Sequence, residues 1–301
     1  MPQFPDPPIV AVVGATAAGK TGLSLDLAER LEGEIVNTDA MQVYRGMDVG
    51  TAKVPETGRR GIPHHLLDLL DVTEPLTVAE FQTRARAAVA EIRSRGRTPV
   101  LVGGSALYTR AVLDRFEFPG TDPEVRRGLE AELAEHGAPA LHRRLTEVDA
   151  AAAQQILPDN GRRIVRALEV IELTGAPFTA ALPSPTPYYR SVQIGVDRDT
   201  EALDRRIADR VELMWAAGLL DEVRGLAGLR EGRTASRALG YQQALAQLDG
   251  ELTREQAVEE TVRATRRFVR RQRSWFRRDR RIVWLEPGPD LLDRALRTLS
   301  S

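Results

Sequence analysis

Between residues 8 and 14 the chain reads Pro-Ile-Val-Ala-Val-Val-Gly, a β-branched apolar run closed by glycine. Such a run predicts a short strand buried on both faces. Leu23, Leu27 and Leu31 follow at four-residue spacing, one apolar stripe over residues 21–31 that predicts a helix. Residues 34–39 and 98–104 repeat the strand pattern, and residues 78–95 between them are helical in period. Strands alternating with helices predict a parallel sheet flanked by helices on both faces. Ligands in such sheets gather at the carboxyl ends of the strands, where Gly14, Asp39 and Gly103 would lie.

The texture changes from about Asp122 to Leu182, where alanine- and arginine-rich helical segments offer no strand candidate and run into a proline-rich exit, PSPTPYY, at 183–189. An all-helical insertion is expected there. Ser191–Val196 reads as a strand returning to the sheet, and the remainder is mostly helical until Arg281–Leu285. The expected division is a first core segment over 1–120, an insertion over 121–188 and a second core segment over 189–301.

A chain of 301 residues can bury a substantial core, and no apolar run approaches the roughly 20 residues of a membrane-crossing helix. The start lacks a basic stretch followed by an apolar one, so no secretory signal is expected. Zero cysteines exclude disulfides, zinc–thiolate sites and thiol nucleophiles. A soluble, cytoplasmic monomer without membrane contact is the expectation. The net charge of −1 argues against a uniformly basic nucleic-acid binder but hides local asymmetry. Only two of the 42 basic residues are lysines, Lys20 and Lys53. With arginine as the general-purpose cation, Lys20 marks a place where a compact ammonium does what a planar guanidinium does not.

Gly14-Ala15-Thr16-Ala17-Ala18-Gly19-Lys20-Thr21 fits G-x-x-x-x-G-K-[ST] at every fixed position, between the predicted strand and helix. The fold expected is therefore α/β and P-loop NTPase-like. Glycines let successive backbone N–H groups turn inward around phosphate oxygens, and the helix N-terminus adds its positive end. Lys20 neutralises charge and the Thr21 hydroxyl can ligate Mg²⁺. A pyrophosphate-bearing, magnesium-bound substrate follows, with ATP or another nucleotide among those the loop admits.

Asp39 closes the second strand within reach of this loop, where its carboxylate can ligate the metal, act as a general base or cap a turn. Gln42, Tyr44 and Arg45 follow; pairing of Gln42 with adenine or stacking of Tyr44 would suit a nucleobase, and plain loop residues would look the same. His64-His65 invites a metal reading, but neighbours in extended chain point to opposite faces and no third ligand is suggested. From Arg263 to Arg281, ten arginines meet a single acid, Asp279. On one helix Val258, Val262, Thr265, Phe268 or Val269, Gln272 and Trp275 would face inward and the arginines outward or sideways. Arg162, Arg163 and Arg166 form a second cluster in the insertion. Two separated arginine clusters on a near-neutral chain suit a folded RNA gripped through its phosphates.

Seven blocks in order, GATAAGKT at 14–21, EIVNTDAMQVYRGMDVGTAK at 34–53, HHLLD at 64–68, LVGGSALY at 101–108, RRIVRALEVIELTG at 162–175, RALGYQ at 237–242 and RRQRSWFR at 270–277, resemble the bacterial tRNA dimethylallyltransferase family, also called tRNA isopentenylpyrophosphate transferase. The resemblance implies transfer of a dimethylallyl group from dimethylallyl diphosphate to N6 of the adenosine beside the anticodon, releasing pyrophosphate with Mg²⁺. Carried over residue by residue, it makes Asp39 the base, lines the diphosphate with Thr16–Thr21, and has Arg210 or Arg206 assist the leaving group. For the tRNA it implies contacts from Asp39, Ala40, Met41, Gln42, Ser105 and Arg127. It adds Arg162 through Arg166, then Arg237, Gly240, Tyr241 and Gln242, and finally Arg270, Arg271, Gln272, Arg273, Trp275 and Arg277. The insertion would clamp the anticodon stem-loop and the target adenosine would leave its stack.

Two departures stand out. The family commonly carries serine where this chain has Ala40, and often glycine where it has Ala106, which restricts the backbone. The same loop would also suit a small-molecule kinase or an adenylate-using prenyltransferase, though a free nucleotide gives distant arginines nothing to hold. An RNA-binding protein with a degenerate loop would not need Lys20 and Thr21.

Overall fold

The computed structural model describes residues 7–178 and 185–299. Residues 1–6, 179–184 and 300–301 lie outside it, and with them residues 179–182 of the expected insertion and Pro183 and Ser184 of the proline-rich exit. The chain divides into two compact units, Met1–Asp114 with Pro187–Ser301, and Arg115–Thr186.

In the first unit the strands are β1 (Ile9–Val13), β2 (Gly33–Asn37), β3 (His64–His65), β4 (Thr98–Gly103), β5 (Ser191–Val196) and β6 (Ile282–Leu285). They form one sheet in the order β3-β2-β4-β1-β5-β6 with every pairing parallel. The period-2 alternation of β1 explains its central place. Val10 and Val12 enter one core cluster with Ile35, Val100, Ile194 and Val196. Ile9, Ala11 and Val13 enter the other, with Val36, Leu101 and Ile282. A strand with no polar face belongs where helices cover both sides.

Along the chain the helices are α1 (Lys20–Arg30), α2 (Val78–Ser94), α3 (Ala106–Leu113), α4 (Pro123–His136), α5 (Ala138–Val148), α6 (Ala150–Gln155), α7 (Gly161–Thr174), α8 (Thr200–Ala216), α9 (Leu219–Gly225), α10 (Tyr241–Leu248), α11 (Arg254–Phe276) and α12 (Leu291–Leu299). Polar caps set several of their starts. Thr77 with Glu80 and Thr253 with Gln256 form reciprocal capping boxes on α2 and α11, and Asp199 caps α8.

The second unit holds α4 to α7 around Leu129, Leu141, Leu145, Ile156, Ile164 and Leu168, with no strand among its described residues. Its buried Glu169 accepts from Arg126 and Arg166, and Arg166 also donates to the carbonyls of Pro119 and Gly120. Arg166, expected to reach RNA, is thus held by the unit's own carboxylate and backbone. Arg162 and Arg163 stay on the exposed side of α7, as Arg127 does on α4.

Three expectations need correction. Strand β2 stops at Asn37, so Asp39 sits two residues beyond it rather than on its last position. Two-residue β3 escapes a period-2 search because there is too little of it to alternate. On α11, Val258, Thr265, Val269 and Gln272 are buried as expected, but the last inward place is taken by Phe276 while Trp275 is 44% exposed.

Candidate active site

The segment 14–19 bends because of where it must pass. Gly14, at φ 140°, brings its α-carbon so close to β5 that a Cβ there would lie 2.3 Å from the Val196 carbonyl oxygen. Gly19 (φ 111°) and Ala17 (φ 65°) also take left-handed backbone, tolerable for glycine and costly for alanine. Two guanidinium groups hold that costly turn from outside: Arg206 Nε donates to the Ala17 carbonyl at 2.9 Å and Arg198 Nε to the Ala18 carbonyl at 3.0 Å. Arg206, expected on the phosphates, therefore spends its Nε on the loop itself. Inside the turn Lys20 Nζ donates to the Ala15 carbonyl at 2.7 Å. Burial and the neighbouring Arg210 charge push the Lys20 ammonium down to about 8, and the Asp39 carboxylate offsets part of this. Burial also lowers Arg210, opposed by Asp39 and reinforced by Arg206. The Arg210 Nε is buried without a hydrogen-bond partner, while its Nη2 donates to the Thr51 carbonyl at 3.4 Å.

Asp39 is fixed by its neighbours. Its N–H donates to Asn37 Oδ1 at 3.0 Å, and its own Oδ1 accepts from the Met41 N–H at 2.9 Å. Oδ2 has no hydrogen-bond partner among the described residues. One oxygen thus caps a turn, one of the three roles open to this carboxylate, and the other is left without a partner on the same side chain. Gln42 Nε2 donates to the Thr51 carbonyl at 3.1 Å, which places Gln42 and Arg210 on one acceptor. Tyr44 is wholly buried and cannot stack on a base, while Arg45 pairs with Asp71 on the surface.

Residues 48–53 are held rigidly. The Glu222 carboxylate accepts from the N–H groups of Asp48, Val49 and Gly50 at 3.0, 2.7 and 3.2 Å and from the Tyr241 hydroxyl. Tyr241, expected at the tRNA, is 0% exposed and packs this loop instead, its hydroxyl pushed up by burial and by Glu222. Gly240, also buried, opens α10, whereas Arg237 and Gln242 are exposed beside it. Lys53 Nζ, nearly inaccessible, donates to Asp48, to Asp68 at 2.6 Å and to the Tyr44 carbonyl at 2.9 Å.

On α11, Arg273 and Arg277 do not simply face outward. Asp197, just past β5, accepts from Arg273 at 3.0 Å and from Arg277 at 2.7 Å, and Arg281 forks onto Asp114 at 2.6 and 3.0 Å. A count of acids along the sequence misses partners brought in from other elements. Arg267, Arg270, Arg271 and Arg280 remain exposed and meet no carboxylate among the described residues. Gln272, expected at RNA, is buried at 6% exposure. Ser105 precedes α3 without capping it by its side chain, and Ala106 opens that helix with ordinary negative φ, so alanine meets no backbone penalty there.

Arg198, Asp197 and Glu222 are not singled out by the sequence. The usable signal was position: Asp197 and Arg198 follow a strand's carboxyl end, as Gly14 does. His64 bonds the Ile62 carbonyl and His65 the Glu34 carboxylate, and the described residues hold no cluster of three His, Asp or Glu side chains suited to a metal. Thr21, in the first turn of α1 next to Lys20, is exposed and carries a hydroxyl oxygen. That oxygen with phosphate oxygens from a ligand is a donor set that fits Mg²⁺, which binds proteins through one or two oxygens and keeps its waters.

The protein is thus an α/β protein with a parallel sheet, a lysine-bearing glycine-rich loop after β1 and a half-tied carboxylate two residues beyond β2. Residues 42–279 match the family model described as IPP transferase. The chain belongs to that family. It is 67% identical to a tRNA dimethylallyltransferase of Salinispora tropica, over 97% of this chain and 92% of that one, and 66% identical to one from a Nocardioides strain, over 98% and 96%. Among solved structures it resembles a full-length tRNA isopentenylpyrophosphate transferase from Bacillus halodurans, with TM-score 0.71, 39% identity and coverage of 98% of this chain and 95% of that one. A eukaryotic dimethylallyltransferase acting on tRNA gives TM-score 0.80 at 26% identity, covering 93% of this chain and 74% of the other.

Proposed function

We propose that this chain transfers a dimethylallyl group from dimethylallyl diphosphate to N6 of the adenosine 3′-adjacent to the anticodon of tRNA, and works as a cytoplasmic monomer. Among the described residues no helix is long and apolar enough to cross a membrane. The observation that carries the reading is Asp39, whose free Oδ2 stands within electrostatic reach of Lys20 and Arg210 over the phosphate loop.

In the reaction the allylic C–O bond breaks and its electron pair leaves with pyrophosphate. Loop N–H groups, Lys20 and Arg210 bear on that developing charge, which is where preorganised donors act most strongly. Thr21 and the diphosphate oxygens would hold Mg²⁺, which when bound neutralises part of the same charge. The N6 amine, its lone pair delocalised into the adenine ring, forms the new N–C bond as its proton passes to Asp39 Oδ2. Ala40, Met41 and Gln42 follow Asp39 on the same turn and are assigned to the acceptor. Ser105 and the exposed arginines are assigned to the RNA backbone, with the α4–α7 unit as a clamp on the anticodon stem-loop.

The test is incubation with Mg²⁺, dimethylallyl diphosphate and unmodified tRNA, followed by mass spectrometry of the nucleosides. Prenylated adenosine from tRNA but not from free adenylate is the expected result; none beside an active control enzyme removes the proposal. Asp39→Ala should lower turnover by about 10²–10⁴-fold while tRNA still binds. Turnover within a few-fold of wild type would remove Asp39 as base.

A further inference from the structure

Not all the loop's backbone donors are available to a ligand. The Ala18 N–H turns back to the Ala15 carbonyl at 3.3 Å. The Thr16 N–H donates to Gln272 Oε1 at 3.0 Å, and the same carboxamide donates through Nε2 to the Gly104 carbonyl at 2.9 Å. Gln272 is buried, and its amide sits so close that a Cβ on Gly104 would lie 2.5 Å from Nε2. Both ends of the carboxamide are therefore committed, and its oxygen is fixed toward the loop. The N–H groups of Ala15, Ala17, Gly19, Lys20 and Thr21 are not committed in this way; those from Ala17 onward, with the Lys20 ammonium, lie on the helix side of Thr16 and remain for phosphate oxygens.

We propose that Gln272 is a specificity-determining residue that limits the phosphate chain to two groups. By occupying the Thr16 N–H it shortens the cradle, and a third phosphate extending past Ala17 meets a carbonyl oxygen where an open loop would offer an amide hydrogen. Two negative partners facing each other without a donor is unfavourable, whereas a diphosphate fits wholly on the Ala17–Thr21 donors. A loop pattern compatible with nucleoside triphosphates is thereby directed to a diphosphate by one side chain from α11. The inference rests on the reading of residues 14–21 as the donor's phosphate site.

The experiment is calorimetric titration of the full chain at fixed Mg²⁺ with inorganic pyrophosphate and with inorganic tripolyphosphate. Wild type should prefer pyrophosphate. Gln272→Met keeps side-chain volume, frees the Thr16 N–H and should cut that preference by about tenfold, the worth of one charge-assisted hydrogen bond. An unchanged ratio in a variant that melts like wild type overturns the proposal. Gln272→Glu keeps an acceptor on Thr16 but adds charge beside the cradle, so the preference should persist while both ligands weaken about tenfold. Undiminished affinity there also overturns it, and this variant decides if Gln272→Met does not fold. A wild type that binds neither ligand removes the phosphate-site reading itself, a different failure from an unchanged ratio. A general loss of packing would lower stability and both affinities together without moving the ratio.

Discussion

The two lysines of this arginine-rich chain both set the ammonium on a backbone carbonyl, Lys20 on Ala15 and Lys53 on Tyr44 beside Asp48 and Asp68, and the compact head group suits either place. At Lys20 the consequence is electrostatic. Held near 8 by burial and Arg210, this ammonium is charged in the free enzyme at pH 7 and loses its proton over the range just above. A bound diphosphate would raise its pKa again. Donor affinity should then be independent of this group below pH 8 and fall, by up to about tenfold per unit, as pH rises beyond it, because binding must take up a proton. In Lys20→Met the affinity should be lower throughout and the break near pH 8 absent; titrations of Mg²⁺–pyrophosphate across pH 6.5–9.5 read both, and a retained break assigns it to another group. Stability runs the other way. Between about 8 and the ordinary 10.5 the unfolded chain keeps this proton and the folded chain does not, so Lys20's contribution to stability increases with pH through that window.

At the scale of elements, loop 48–53 shows how much of the site is held from behind. Glu222 on α9 fills the concavity of three successive N–H groups, and Lys53 joins Asp48, Asp68 and the Tyr44 carbonyl, so Thr51 presents its carbonyl to Gln42 and Arg210. Lys53→Met should cost roughly 1–3 kcal/mol, since it leaves two half-exposed carboxylates facing each other without their cation. The melting temperature should drop by several degrees and turnover should fall through Arg210 while donor chemistry at Lys20 stays intact. A variant with wild-type melting would show the carboxylates relaxing into water. This layer was invisible in the sequence for a physical reason. The phosphate loop and the long strands announce themselves through local pattern, each set by neighbours a few positions away. Glu222 and Gln272 act on backbone groups more than a hundred residues distant, Asp197 on guanidinium groups 76 and 80 residues away, and nothing in their local sequence states that distance. At the end of α11 the same distance hides the partners of Arg277 and Arg281, whose carboxylates, Asp197 and Asp114, lie just past β5 and α3.

For the whole molecule, the charge of −1 conceals a division of labour among the arginines. Some build the protein: Arg273 and Arg277 on Asp197, Arg281 on Asp114, Arg166 on Glu169. Others, Arg270 and Arg271 on α11 and Arg162 on α7, stand exposed. Only the second group is free to replace counterions on RNA, and each phosphate so neutralised contributes roughly 0.7–0.9 to the slope of log affinity against log salt. Replacing Arg270 and Arg271 by alanine should therefore reduce that slope for tRNA by about one to two and weaken binding at low salt most, leaving pyrophosphate affinity and the melting temperature unchanged. Arg273→Ala should behave differently. It removes a partner from buried Asp197 and a donor from the carbonyl of Arg198, the residue that holds the Ala18 carbonyl of the phosphate loop. The melting temperature and pyrophosphate affinity should both fall, and the salt slope should barely move, because that charge was already matched inside the protein. Fluorescence titrations of tRNA at several salt concentrations, paired with melting curves, separate the two kinds. A salt slope that falls equally in both variants would mean Arg273 leaves Asp197 to reach the RNA, and the division read from the unliganded chain would not survive binding.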